Sequence, residues 1–153
     1  TLLFSQGFNA LICGIASALV VYAAVEWSAG AGMPLGRWLG MTLTAIVLTI
    51  PFAIAAAAVA EWTGAAAALP VFNLIYILSS FAGGLWMPPA ALPSKVETLS
   101  LALPTRHMGE VLWKLALGEK PEIKYVIYLV LFALASFVLL ILSRKMNSER
   151  AKI

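Results

Sequence analysis

Asn73, Tyr76, Ser80 and Gly83 recur at i, i+3, i+7 and i+10 in an otherwise apolar run, and on a helix these positions fall within about 80° of one another. An amide, a phenol and a hydroxyl in hydrocarbon need hydrogen-bond partners. Two kinds of chemistry meet that need: bonds to a neighbouring helix, or a polar path along which a solute crosses. Gln6, Asn9, Cys13 and Ser17 form a second stripe of the same kind near the start of the chain. The same two readings apply to it.

Other chemistries lack their residues. His107 is the single histidine and stands beside Arg106 and Glu110, so no histidine metal cluster or catalytic triad can be assembled from this chain. Its setting reads as an exposed surface position. No glycine-rich phosphate loop followed by Lys-Ser/Thr occurs, which leaves the chain without the usual means of binding ATP. The carboxylates sit mainly at segment ends, against a proton relay across a membrane. Cys13, the single cysteine, excludes an intrachain disulfide. We therefore expect no catalytic residues, metal or bound cofactor, and a membrane-embedded enzyme would need a cluster that is missing.

The stripes need elements to carry them. Of 153 residues, 62% are hydrophobic and 11% charged, with a mean hydropathy of +0.96, more apolar surface than a soluble domain buries. A bilayer span takes roughly 20 apolar residues. Four stretches fit, at about 3–25, 37–60, 65–86 and 125–142. The expected fold is an all-α integral membrane bundle of four transmembrane helices, with a re-entrant two-helix hairpin between the last two. Pro51 should kink the second span near Val47 to Ile50, and Thr49 can bond a freed carbonyl. The turn Glu61-Trp62-Thr63-Gly64 is too short for anything but adjacent helices. The last span carries no polar stripe and reads as largely lipid-facing.

The hairpin, at 88–118, is the most distinctive stretch. Pro88 and Pro89 stop the preceding helix, and Pro93 precedes Ser94-Lys95-Val96-Glu97, a capping-box pattern that opens a short helix. Pro104 ends it. A second short helix follows from Thr105, with Met108, Val111, Leu112 and Leu115 on one face, Arg106, His107, Glu110 and Lys114 away from its centre, and Gly118 as its stop. Neither helix is long enough to span. The pair either dips into the membrane or lies along its surface as an amphipathic helix.

Charge gives a mixed answer on sidedness. The net charge of +3 offers no basic patch for nucleic acid, and the positive residues suit lipid headgroups. The hairpin side holds six basic residues (Arg37, Lys95, Arg106, Lys114, Lys120, Lys124) against four at the other (Arg144, Lys145, Arg150, Lys152). A simple count puts the hairpin inside. The glutamates at 97, 110, 119 and 122 dilute that count, and the basic residues directly after the last span read as a cytoplasmic stop. The chain starts at Thr1, goes almost directly into apolar sequence and is expected to be N-terminally incomplete.

The order Gly84-Leu85-Trp86-Met87-Pro88, Leu92-Pro93, short helix, Leu103-Pro104-Thr105, amphipathic helix, Gly118, final span and basic tail resembles the type-2 ABC transporter permease family. Its usual pattern is a Ser-Gly and proline exit, then Leu-Pro, then Asn-Pro-hydrophobic-Thr/Ser. Here Ala82-Gly83-Gly84 stands for the serine-glycine and Leu103 for the asparagine. The resemblance implies the last four of six spans in a multi-pass cell-membrane subunit with a cytoplasmic C-terminus. It implies export of a hydrophobic, lipid or polysaccharide-type substrate by alternating access. A second permease copy and separate ATP-binding cassette subunits, which hold ATP and Mg, would complete the assembly. By position, Glu61, Trp62, Thr63 and Gly64 would touch the ATP-binding subunit. Asn73, Tyr76 and Ser80, with Gln6 and Asn9, would face the pathway. Pro88, Pro93, Pro104 and Glu97 would belong to a re-entrant outer gate. The other reading is a structural or assembly membrane subunit whose polar stripes are only helix contacts.

Overall fold

The computed structural model describes residues 2–30, 32–87 and 91–150, and side chains within these except at 2–11, 28, 29, 65, 149 and 150. All of the regular structure described is helical: α1 (Leu2–Ala29), α2 (Leu35–Leu48), α3 (Ile50–Thr63), α4 (Ala65–Ala82), α5 (Ser94–Ser100), α6 (Pro104–Leu117) and α7 (Ile123–Arg150). Two helical runs, Leu35–Thr63 and Ile123–Ser148, are long and apolar enough to cross a membrane, and Ile12–Trp27 and Ala66–Ala82 are shorter apolar helices. The chain divides into two compact units, Thr1–Thr42 and Leu43–Ile153.

In the first unit the Tyr22 and Trp38 rings meet at 5.4 Å between centroids. The Glu26 carboxylate accepts a bond from the Met33 amide at 3.2 Å, which closes the glycine-rich loop onto the end of α1.

The second unit is built on α3 and α7, its most extensive helix pair. Pro51 has no amide to donate, and the helix breaks at Thr49, inside the interval expected from the sequence. Thr49 Oγ1 donates to the Ile46 carbonyl at 2.6 Å, so the break keeps that acceptor satisfied. Beyond it Phe52 and Ala58 are buried, and the alanines between them let α7 approach closely. Along α7, Leu129, Ser136, Leu140 and Ser143 are buried at i, i+7, i+11 and i+14, a helical stripe that faces the rest of the unit. Within the expected span, 125–142, Ser136 lies on this packed face, and Ser143 follows one heptad on, just past the span's end. Small hydroxyls fit where two helices touch, and Ser143 bonds back to the Leu140 carbonyl at 2.9 Å. The opposite face, including Ile127, Leu131, Leu134 and Val138, is exposed.

Phe52 meets Phe132 at 5.5 Å and Glu61 meets Arg144 and Asn147 further on, so α3 and α7 run parallel. Gly64 alone joins α3 to α4. Its φ of 78° and ψ of 158° lie where a side chain is strained, and the reversal lays α4 against α3.

Between α4 and α7 the chain folds into the α5–α6 hairpin. α5 begins at Ser94, with Pro93 as its N-cap and no side-chain capping bond. The capping box expected from Ser94 and Glu97 is therefore not formed. Ser94 is already the first helical residue, and Pro93 supplies the carbonyl to the Glu97 amide at 2.9 Å. α6 opens with Pro104 at its first position, where no amide is needed. It closes at Gly118, left-handed at φ 78° and ψ 16°.

Candidate functional site

The polar stripe of α4 divides between two environments. Asn73 is exposed, and its side chain makes no hydrogen bond among the described residues. Tyr76 lies three residues on, and its ring is edge-on to Phe52 at 5.9 Å and stacked on Phe72 at 6.3 Å. That places it beside the buried cluster of Phe52, Met108 and Leu129. Ser80 is buried. Its hydroxyl donates to the Ile77 carbonyl at 2.9 Å and accepts from Trp86 Nε1 at 3.1 Å. The side chains of Gln6 and Asn9, and Pro88, lie outside the described residues.

The end of α4 is where the hairpin docks. Gly83 is buried under α6, and a β-carbon there would meet Thr105 Oγ1, with the Arg106 amide nitrogen at 2.7 Å. Gly84 takes φ 79°, reserved for glycine, and its carbonyl accepts from Trp113 Nε1 at 2.9 Å. Thr105 Oγ1 donates to the Ser79 carbonyl at 2.5 Å. Gly109 sits against the Gly83 and Gly84 carbonyls, at 3.4 and 3.5 Å from where its β-carbon would be. Glycines from α6 and from the end of α4 thus let the two backbones come nearly into contact.

Arg106 corrects the expected amphipathic pattern. It is 7% exposed, not displaced from the packed side. Its Nη2 contacts Glu110 Oε1 at 2.8 Å and its Nη1 donates to Ser100 Oγ at 3.2 Å. Ser100 in turn donates to the Glu97 carbonyl at 2.6 Å. The bond to Ser100 ties α6 to the end of α5, and Arg106 Nε is left as a buried donor without a partner. Met108 and Val111 are buried as expected, with Thr105 and Gly109 beside them.

His107, read as an exposed surface position, is half-buried and stacked on Tyr128 of α7, 3.7 Å between centroids. Its Nε2 is 3.0 Å from the Leu101 carbonyl, while Nδ1 is buried without a partner. Tyr128 OH donates to the Ala102 carbonyl at 2.7 Å. These two rings pin the α5–α6 turn to α7 at a point about 7.5 Å along the helix from Ile123, at 1.5 Å per residue. The hairpin therefore leaves the end of α4, returns alongside α7 and climbs back to the same end.

Burial of the His107 ring lowers its pKa below 6.5, helped by Arg106 and opposed by the Leu101 carbonyl and Glu110. Tyr125 and Tyr128 are the α7 rings that face it. The folded chain holds this proton less tightly than the unfolded chain. The stabilising effect of neutral His107 is complete above the ordinary value and is lost as pH falls through it towards the folded value. Melting temperature of the wild type should fall as the pH is lowered through the ordinary histidine value. His107→Phe, which keeps the stack but cannot titrate, should remove that part of the drop.

At the far end of α3 and α7 the Glu61 turn is partly committed. Glu61 Oε1 accepts from Arg144 Nε at 3.2 Å, and Asn147 Nδ2 reaches the Glu61 carbonyl at 2.9 Å and Oε2 at 3.2 Å. Trp62, Thr63 and Gly64 are exposed. In the hairpin Pro93 caps α5, Pro104 opens α6 and Glu97 lies in the first turn of α5. Residues that the sequence reading missed are Ser100, Thr105, Gly109, Trp113 and Tyr128. The i, i+4 spacing of Arg106 and Glu110 is a signal for an ion pair that the sequence reading did not use, and nothing in the spacing marks its burial.

No family model matches the chain, and no solved structure matches it. A curated relative, "Putative transport permease YvfS" of Bacillus subtilis (strain 168), is 27% identical over 104 residues, which make up 65% of this chain and 42% of the relative. The chain thus spans about two fifths of that relative's length. The chain is thus similar to part of a "Putative transport permease", and two of its helical runs are long and apolar enough to cross a membrane.

Proposed function

We propose that the chain is part of the membrane-spanning subunit of an ATP-driven ABC exporter. The observation that carries the reading is the α5–α6 hairpin, whose turn is bonded to α7 beside Tyr128 instead of projecting from the helix end. If α1, the α2–α3 run, α4 and α7 are four spans, this turn is re-entrant and lies within the outer part of the bilayer. The outward assignment is supported by Arg144 and Lys145, which directly follow the expected last span and suit a cytoplasmic flank.

Asn73 carries the pathway part of the proposal. An exposed amide on an apolar helix is costly in hydrocarbon, so its partner is a water-lined path or a second permease copy. Tyr76 and Ser80 then act as supports that hold α4 against the hairpin. Alternating access would change the packing at Gly83–Gly84, where the hairpin meets the end of α4 through the Thr105–Ser79 and Trp113–Gly84 bonds. The work would come from a separate subunit that holds ATP and Mg, touching the exposed Trp62-Thr63-Gly64 turn, while Glu61 joins that turn to α7. Hydrophobic, lipid and polysaccharide-type substrates are the classes that the resemblance implies.

The alternative, an assembly subunit without its own path, draws on the intramolecular contacts of Tyr76 and Ser80. Affinity purification from the native membrane decides the exporter proposal. An ATP-binding cassette subunit should co-purify, and Trp62→Ala should lower its recovery without lowering that of the tagged chain. Recovery of the chain with no ATPase would count against the proposal.

A further inference from the structure

We propose that the ends of α3 and α7 form a binding site for a phospholipid headgroup in which a primary ammonium accompanies the phosphate, as in phosphatidylethanolamine. The inference rests on reading α3 and α7 as membrane spans. Glu61, Trp62, Ser143, Met146 and Asn147 line a notch of about 120 Å³, against the roughly 10–15 Å³ that one water needs. It lies where both apolar runs give way to charged sequence, the level at which headgroups meet a span. An exposed indole at that depth is a common interfacial anchor.

The polar atoms select the headgroup. Inside the notch the free capacity is for accepting hydrogen bonds: the Glu61 carboxylate has only two long bonds of 3.2 Å, and Asn147 uses its amide nitrogen, leaving Oδ1 open. Charge-assisted bonds are ordinarily about 2.7–2.9 Å. A primary ammonium supplies three N–H donors, whereas a quaternary ammonium supplies none. The face of Trp62 attracts the same positive charge. At the rim Arg144 spends only Nε on Glu61, so both Nη groups remain for a phosphate, in the geometry that guanidinium suits. Carboxylate, ammonium, phosphate and guanidinium then alternate in sign around the notch.

The test uses the chain in bilayer discs of phosphatidylcholine with a minor fraction of either phosphatidylethanolamine or phosphatidylglycerol. Lipid retained after detergent extraction is read by mass spectrometry. Stable insertion into phosphatidylcholine alone reports on the membrane reading separately. The expected result is enrichment of phosphatidylethanolamine over its bulk fraction and none of phosphatidylglycerol. Glu61→Gln should cut the enrichment about tenfold, as loss of one charge-assisted bond implies. Trp62→Ala should also lower it while leaving the melting temperature in phosphatidylcholine unchanged, since Trp62 is 64% exposed and makes no bond within the chain. Equal retention of phosphatidylglycerol, or unchanged enrichment in both variants, overturns the proposal. Displacement of the lipid by an equal concentration of glycerophosphoethanolamine would assign the site to the soluble headgroup and overturn the lipid as occupant.

Discussion

Gly83→Ala is expected to detach the hairpin from α4. The added β-carbon would overlap Thr105 Oγ1 and come within 2.7 Å of both the Arg106 amide nitrogen and the Ser79 carbonyl oxygen. Two of those three atoms are backbone and cannot be relieved by a rotamer change. Either the start of α6 or the end of α4 must move, and the Thr105–Ser79 bond is lost with it. Overpacking of this kind combined with a lost hydrogen bond should cost about 3 kcal/mol. Hydrogen exchange should show the amides of α5 and α6 losing protection while those of α3 and of α7 beyond Leu140 keep theirs. Gly109→Ala is the control: its nearest new contact is 3.4 Å, so a displacement of a few tenths of an ångström suffices. Equal losses in both variants would show that the close approach at Gly83 is not what holds the hairpin.

Arg106→Met should destabilise the hairpin almost as much, by a different route. The Arg106 and Glu110 side chains are 9% and 17% exposed, and removing the guanidinium leaves the carboxylate and Ser100 Oγ without their partner. Breaking a buried pair from one side costs about 3–5 kcal/mol when desolvation is complete, and the partial exposure of Glu110 brings the expected loss to about 2–3 kcal/mol. The double substitution Arg106→Met with Glu110→Leu removes both charges and should recover most of that loss, since an apolar replacement of similar size avoids the orphaned charge. Thermal unfolding of the two single variants and the double variant closes the cycle. Additive losses would mean that the ion pair contributes no coupling.

Helix placement followed from local chemistry. Pro51, Gly64, Pro104 and Gly118 each impose a backbone constraint that needs no knowledge of neighbours, and the structure breaks or turns at or beside each of them. What was not legible depended on which faces meet. Arg106 and His107 lie off the apolar face defined by Met108, Val111 and Leu112, so the periodicity of α6 assigned them to its surface. They are covered because α6 is packed on more than one side, by α4 at Gly83 and by α7 at Tyr128, and a single-helix pattern cannot report a second packing face. The same limit hid Ser136 and Ser143, isolated serines in an apolar helix whose meaning comes from the alanine-rich α3 beside them. For the candidate pathway, spacing placed Asn73, Tyr76 and Ser80 on one side of α4. Only the contacts separate an exposed amide from a packed Tyr76 ring and a bonded Ser80 hydroxyl.

Sidedness is the claim from which the gate and pathway readings follow, and thiol labelling tests it most directly. In a Cys13→Ser background, Lys95→Cys on α5 and Lys145→Cys near the end of α7 place single exposed thiols at the two ends of the second unit. An impermeant thiol reagent added to intact cells should label Lys95→Cys, and Lys145→Cys should react only after lysis. Labelling of Lys95→Cys solely after lysis, or of both positions from the same side, would contradict an outward-facing hairpin.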